Sequence, residues 1–155
     1  MVRTKLKNMT VADIRQLLIT QPILVKPDLP IEDFLGTLVK DLRMRHVYVI
    51  DEHNVLIGVV RMNTVVKYLF PFSAFVMLNQ SDAILKESLN FGAKTVRDIM
   101  DSYPHFVEET TLLSDMAEIL IKEKINELPV VDSERRVIGQ VNVYEIITAY
   151  LHKKL

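Results

Sequence analysis

The side chains able to do chemistry are few and poorly spaced for catalysis. The four histidines, His46, His53, His105 and His152, fit no His-Glu-x-x-His spacing. No Gly-x-Ser-x-Gly elbow and no phosphate loop of the Gly-Lys-Ser/Thr kind occurs either. A catalytic site needs a nucleophile, a base within reach and a group that orients the base. Asp101 and His105 stand four apart, but Pro104 between them argues against the helix that would make them a metal-binding pair. Glu108 and Glu109 are adjacent, so in an extended segment they point to opposite sides and form no carboxylate pair. The sequence has no cysteine, which removes thiolate nucleophiles, thiolate metal ligands and disulfides, and fits a reducing compartment. These residues point away from an enzyme, with no cofactor or metal required.

The bulk properties narrow the class further. A formal net charge of −1 gives no general attraction to nucleic acid or anionic lipid. Arg3, Lys5 and Lys7 at one end and Lys153 and Lys154 at the other read as solvated tails. With 49% hydrophobic and 25% charged residues the chain has the composition of an ordinary globular protein. Its longest apolar run, Leu69 to Leu78, is broken by Pro71 and Ser73 and is shorter than the roughly 20 residues that span a bilayer, so no membrane insertion is expected. The first residues lack the apolar stretch of a signal peptide, and the expected location is cytoplasmic.

The elements that would position any site come from an internal repeat. Thr10-Val11-Ala12-Asp13-Ile14 returns as Thr95-Val96-Arg97-Asp98-Ile99, and Val47-Tyr48-Val49-Ile50-Asp51 returns as Leu128-Pro129-Val130-Val131-Asp132. Seven residues after each closing aspartate stands a glycine, Gly58 or Gly139. Each copy opens with a short turn (Val11 to Leu18; Val96 to Met100) and a brief extended piece (Ile23 to Val25; His105 to Val107). A helix follows. Ile31, Phe34, Leu35, Leu38, Val39 and Leu42 form one apolar stripe, and Leu113, Met116, Ala117 and Leu120 repeat it. Pro30 suits the first turn of the one helix, and Thr110 or Thr111 the cap of the other. Two β-branched runs around a polar turn (Val47 to Ile50 with Val55 to Val60; Val130-Val131 with Val137 to Val141) predict hairpins. A glycine inside a strand marks a bulge, or a close approach by another backbone or a ligand. Closing helices are predicted at Asn63 to Leu69 and Val143 to Leu151.

The resulting fold class is α/β (α+β), two β-α-β-β-α repeats. The division is 1–9 tail, 10–69 first repeat, 70–94 connecting segment, 95–151 second repeat and 152–155 tail. Ile84, Leu85, Ser88 and Leu89 suggest a short helix in the connecting segment. A unit of roughly 60 residues buries little surface alone. The two sheets are therefore expected to pack face to face about a pseudo-twofold axis, with a cleft along it.

The Thr-Val-x-Asp-Ile openings, the Leu-Pro-Val-Val-Asp block at 128–132 and the strand ending in Gly139 resemble the cystathionine-β-synthase (CBS) domain. A tandem pair of these is a Bateman module, and the resemblance runs from about Thr10 to Leu151. It implies a regulatory module that binds AMP, ADP, ATP or S-adenosylmethionine between the repeats, often as a homodimer, and signals to a separate, unknown effector protein. The family usually carries an Asp six residues after the strand glycine, which accepts hydrogen bonds from the ribose hydroxyls, with Thr or Ser three residues before it. Here those places hold Thr64 and Arg61 in the first copy, and Glu145 and Asn142 in the second.

A ribose diol needs a carboxylate acceptor, and charge-assisted hydrogen bonds are the stronger ones. The resemblance therefore favours the second-copy site, composed of Tyr103, His105, Phe106, Leu128, Pro129, Asn142 and Glu145. Asn142 should cap the last helix. A weaker first-copy site would comprise Thr20, Ile23, His46, Val47, Arg61 and Thr64, with Arg61 suited to phosphate. Ile23, Val47, Phe106 and Leu128 would hold adenine, or would simply be core. His46 and His105 would reach phosphate, or would be structural. The alternative function is a ligand-free dimerisation or scaffolding module that uses the apolar cluster Phe70, Phe72, Phe75, Val76, Met77 and Leu78.

Overall fold

The computed structural model describes residues 2–18, 20–42, 45–70 and 92–154. These contain helices α1 (Val2–Lys7), α2 (Val11–Ile14), α3 (Ile31–Leu38), α4 (Met62–Leu69), α5 (Val96–Ile99), α6 (Leu113–Glu123) and α7 (Val143–Lys154). The strands are β1 (Leu24–Val25), β2 (His46–Ile50), β3 (Leu56–Arg61), β4 (Val107–Glu108), β5 (Glu127–Val131) and β6 (Val137–Asn142). They form two three-stranded sheets, β1-β2-β3 and β4-β5-β6. The mixed α+β class and the two hairpins agree with the sequence reading.

The chain divides into two compact units, and neither is continuous in sequence. The first comprises Met1–Pro22, His53–Leu56 and His105–Leu155; the second comprises Ile23–Glu52 and Ile57–Pro104. In the first unit β4 runs parallel to β5 and β5 antiparallel to β6, with Val130 opposite Gly139. The buried side chains of α2, Val11 and Ile14, join Val107, Leu113, Met116, Leu120, Leu128, Val130, Val141 and Ala149 in one core. In the second unit β1 runs parallel to β2, and Val96 and Ile99 of α5 share a core with Val25, Ile31, Phe34, Val47, Val49, Val60 and Val65. Each opening helix is therefore packed on the sheet of the other copy.

Hydrogen bonds explain why this arrangement recurs. Val11 N–H donates to Thr111 O (2.9 Å), Ala12 N–H to Glu109 O (2.9 Å) and Leu113 N–H to Met9 O (2.8 Å). The second unit repeats the set with Val96 to Leu29 (3.0 Å), Arg97 to Pro27 (2.9 Å) and Ile31 to Lys94 (3.1 Å). Both opening helices begin with a capping box, Thr10 with Asp13 and Thr95 with Asp98. Their Thr-x-x-Asp spacing is what returns first when the sequence is searched for repeats.

Three local expectations change. Neither Thr110 nor Thr111 caps α6: its N-cap is Leu112, and the Thr111 hydroxyl accepts from Glu108 N–H at 2.9 Å. Pro30 is likewise the N-cap of α3. Neither helix needs a side-chain cap at its first N–H, because Met9 O and Lys94 O accept it. The α3 stripe also stops short: the helix ends at Leu38, and Val39 and Leu42 are exposed. Gly36 and β-branched Thr37 weaken the last turn, and apolar periodicity carries no signal for that. The short helix expected at Ile84 to Leu89, together with Phe72, Phe75, Val76, Met77 and Leu78, lies outside the described residues.

Candidate functional site

The second-copy site is organised by the passage from β6 into α7. Asn142 ends the strand and Glu145 occupies the first turn of the helix, 7% and 0% exposed respectively. Asn142 Oδ1 accepts from Tyr144 N–H at 2.9 Å and from Glu145 N–H at 3.3 Å. Glu145 Oε2 accepts in return from Asn142 N–H at 2.8 Å. The pair is a capping box with Asn in place of Ser or Thr, and it confirms Asn142 as the cap of the last helix. The other carboxylate oxygen, Glu145 Oε1, is buried with no hydrogen-bond partner among the described residues. Burial pushes the Glu145 carboxyl up to about 7; the Asn142 N–H and the Arg15 cation act in the opposite direction.

Arg15 comes from the turn that follows α2. Its Nε and Nη2 both meet Glu109 Oε1, at 2.7 and 2.6 Å. Its Nη1 lies 2.9 Å from where a Cβ on Gly139 would stand, so the strand glycine makes room for this guanidinium. The second unit has the matching contact: a Cβ on Gly58 would fall 2.5 Å from Met100 Sδ and 3.1 Å from the Asp101 carbonyl oxygen. Close approach by another segment is thus the reason for both glycines.

The other residues are placed as follows. Leu128 is a buried core residue of β5, and Pro129 beside it has no N–H to make the bond that Tyr48 donates to Ile23 O (2.9 Å) in the second unit. The Phe106 ring lies under the Arg135 guanidinium, 4.8 Å from its centroid. His105 Nε2 is 3.4 Å from Glu123 Oε2. Tyr103 is 88% exposed and belongs to the second unit, whereas the other six residues of its group belong to the first.

Of the first-copy residues, Val47 is fully buried in the core and Ile23 packs partly buried against it. His46 begins β2 and is half-buried. Arg61 stands at the N-cap of α4 with no side-chain cap, and Thr64 is half-buried in the first turn. Thr20 belongs to the first unit, with Glu145, and its Oγ1 is buried without a partner among the described residues. Arg15 and Glu109 were not singled out by the sequence reading of this site. One signal did exist: a cation follows the Thr-Val-x-Asp-Ile block in the first copy, where the second has Met100.

Among the described residues no group of three or more His, Asp and Glu could hold a metal, and no helix is long and apolar enough to cross a membrane.

Two α+β units that each run a glycine-bearing strand directly into a helix define a duplicated fold. The model of the CBS domain matches residues 11–71 and 96–152, and the chain belongs to that family. It is 31% identical over 144 residues to the CBS domain-containing protein CBSX1, chloroplastic, of Arabidopsis thaliana, covering 84% of this chain and 59% of that protein. This chain therefore spans about three fifths of that relative's length. Among solved structures, CBSX2 in complex with AMP matches with a TM-score of 0.71 at 28% identity, over 95% of this chain and 99% of that one. The CBS domain pair of protein MJ0100, in complex with 5′-methylthioadenosine and S-adenosyl-L-methionine, matches with a TM-score of 0.64 at 25% identity, over 94% and 98%.

Proposed function

We propose that this chain is a non-catalytic regulatory module that binds an adenosine-containing ligand (AMP, ADP, ATP or S-adenosylmethionine) at the β6–α7 junction and reports occupancy to a separate effector protein. The observation that carries the reading is Glu145 Oε1, an oxygen of a fully buried carboxyl with no hydrogen-bond donor among the described residues. Leaving a buried acceptor unpaired costs about 1–3 kcal/mol, so a ligand that supplies the donor recovers that loss on binding. A ribose diol is such a donor. Thr20 Oγ1, also buried and without a partner among the described residues, belongs to the same unit. The AMP complex of CBSX2 and the S-adenosyl-L-methionine complex of MJ0100 support the ligand class. The test is thermal melting of the chain with AMP, ADP, ATP and S-adenosylmethionine. A ligand that binds the native state raises the midpoint with concentration, and a flat response to all four contradicts the reading.

A second reading, pairing with another copy of the chain, is favoured by exposed apolar residues at equivalent places on the two closing helices. Val66, Leu69 and Phe70 are each more than half exposed on and after α4, and Tyr144, Ile147 and Leu151 are exposed on α7. Sedimentation of the wild type against Ile147→Asp, Leu151→Asp tests it: a dimer that becomes monomeric supports the pairing, and a wild-type monomer rejects it.

A further inference from the structure

Arg15 is what distinguishes the Glu145 site from its counterpart in the second unit. In both units the residue that follows the Asp-Ile of the opening helix is laid against the strand glycine, Met100 on Gly58 and Arg15 on Gly139. Methionine fills that space with apolar atoms. Arginine fills it with a cation, and it does so in the copy whose helix carries a carboxyl at 145, where the other copy has Thr64.

The guanidinium has two edges with different tasks. The Nε–Nη2 edge is fixed on Glu109 Oε1, a residue with a half-exposed side chain. The Nη1 corner points at Gly139 and makes no hydrogen bond among the described residues. Arg15 forms no ion pair with Glu145, yet its charge bears on that carboxyl. Nη1 lies against Gly139 of β6, the strand that runs on into Asn142 and the helix carrying Glu145.

We infer that Arg15 makes this site select adenosine ligands bearing a 5′-phosphate over S-adenosylmethionine and over uncharged nucleosides. The inference rests on the ligand class proposed above. With the diol on Glu145 Oε1, the 5′ substituent extends away from the carboxyl, and Nη1 offers it donors matched to a phosphate oxygen. Because Glu109 holds the guanidinium in place, little side-chain entropy is lost when the phosphate arrives. A sulfonium at the same position meets a like charge, and a nucleoside leaves the donors unused. Glu109 offsets part of the cation's charge, but its half-exposed side chain is screened by water, so the Nη1 corner against Gly139 governs the choice.

The experiment is a calorimetric titration of the full chain with AMP, adenosine and S-adenosylmethionine, run on the wild type, Arg15→Met and Glu145→Gln. Methionine is the residue the second unit uses at this place, which keeps the packing on the glycine. The wild type is expected to bind AMP at least about tenfold tighter than adenosine or S-adenosylmethionine, the scale of one hydrogen bond to a charged group. Arg15→Met should bring AMP to within about threefold of adenosine. The inference is overturned if the wild type binds AMP and adenosine equally, or if Arg15→Met keeps the preference for AMP. Adenosine binding that is lost in Glu145→Gln while Arg15→Met changes nothing leaves the ligand class standing and removes Arg15 from the site. No binding by any compound to the wild type removes both.

Discussion

Asn142 and Glu145 hold each other across the first turn of α7: the amide oxygen of one accepts the backbone N–H of the other, and the carboxylate of the second accepts the backbone N–H of the first. The exchange fixes the carboxyl in one orientation. Oε2 is consumed by the cap, and Oε1 is buried with no partner among the described residues. A residue that only capped the helix would have no reason to bury its second oxygen at such a cost.

At pH 8, where the raised carboxyl is ionised, Glu145→Gln should weaken AMP binding by about 1.5–3 kcal/mol, about ten- to a hundredfold, because glutamine keeps the capping box but removes the charge from the acceptor. Thr64→Ala should change affinity by less than about threefold, since a neutral hydroxyl at the equivalent place offers no charge-assisted bond. Calorimetric titration of the two variants beside the wild type checks both. Equal affinity in all three would remove the assignment of the site.

Stability should depend on pH through Glu145. Its carboxyl is raised from 4.5 to about 7 in the fold, so the folded state holds a proton that the unfolded state releases. The contribution is complete below pH 4.5, is lost as pH rises toward 7 and is gone above it, a total of about 3 kcal/mol. Asp98 is held low by the Lys94 and Thr95 N–H groups, and Asp132 by the Arg136 N–H first. Both act in the opposite sense and cancel when the wild type is compared with Glu145→Gln. Urea denaturation at pH 5, 6, 7 and 8 should show the wild type losing stability relative to the variant up to about pH 7, then running parallel to it. Parallel curves throughout would contradict a raised carboxyl.

The two strand glycines should differ in cost. A Cβ at Gly58 meets Met100 Sδ at 2.5 Å and the Asp101 backbone carbonyl at 3.1 Å, and a carbonyl in a bridge with Val59 has little freedom to yield. Gly58→Ala is expected to lose about 1–3 kcal/mol. At Gly139 the obstacle is Nη1, the far end of a long side chain, so Gly139→Ala should change stability by less than about 1 kcal/mol. Chemical denaturation of the two variants decides it, and equal losses would contradict the packing described.

Much of this was legible in the residues. The Thr-x-x-Asp spacing that marks both openings is a pair of capping boxes, and the β-branched runs around Asp51 and Asp132 are the two hairpins. Those features are local, so local chemistry decides them. Asn142 was readable as a cap for the same reason. The exchange of opening helices was not readable, because Val11 suits either sheet equally well by type and only the hydrogen bonds to Glu109 and Thr111 select one. The caps of α3 and α6 were misread for a related reason: carbonyls distant in sequence replace a side-chain oxygen. Arg15 was missed because its partners, Glu109 and Gly139, are 94 and 124 residues away along the chain.

The ribose contact to Glu145 is tested most directly by titrating the wild-type chain with AMP and with its 2′,3′-dideoxy analogue under identical conditions. Removal of both hydroxyls should weaken binding at least about tenfold in the wild type and by much less in Glu145→Gln, where the charged acceptor is already gone. Equal affinity of the wild type for the two compounds would contradict the account at its centre.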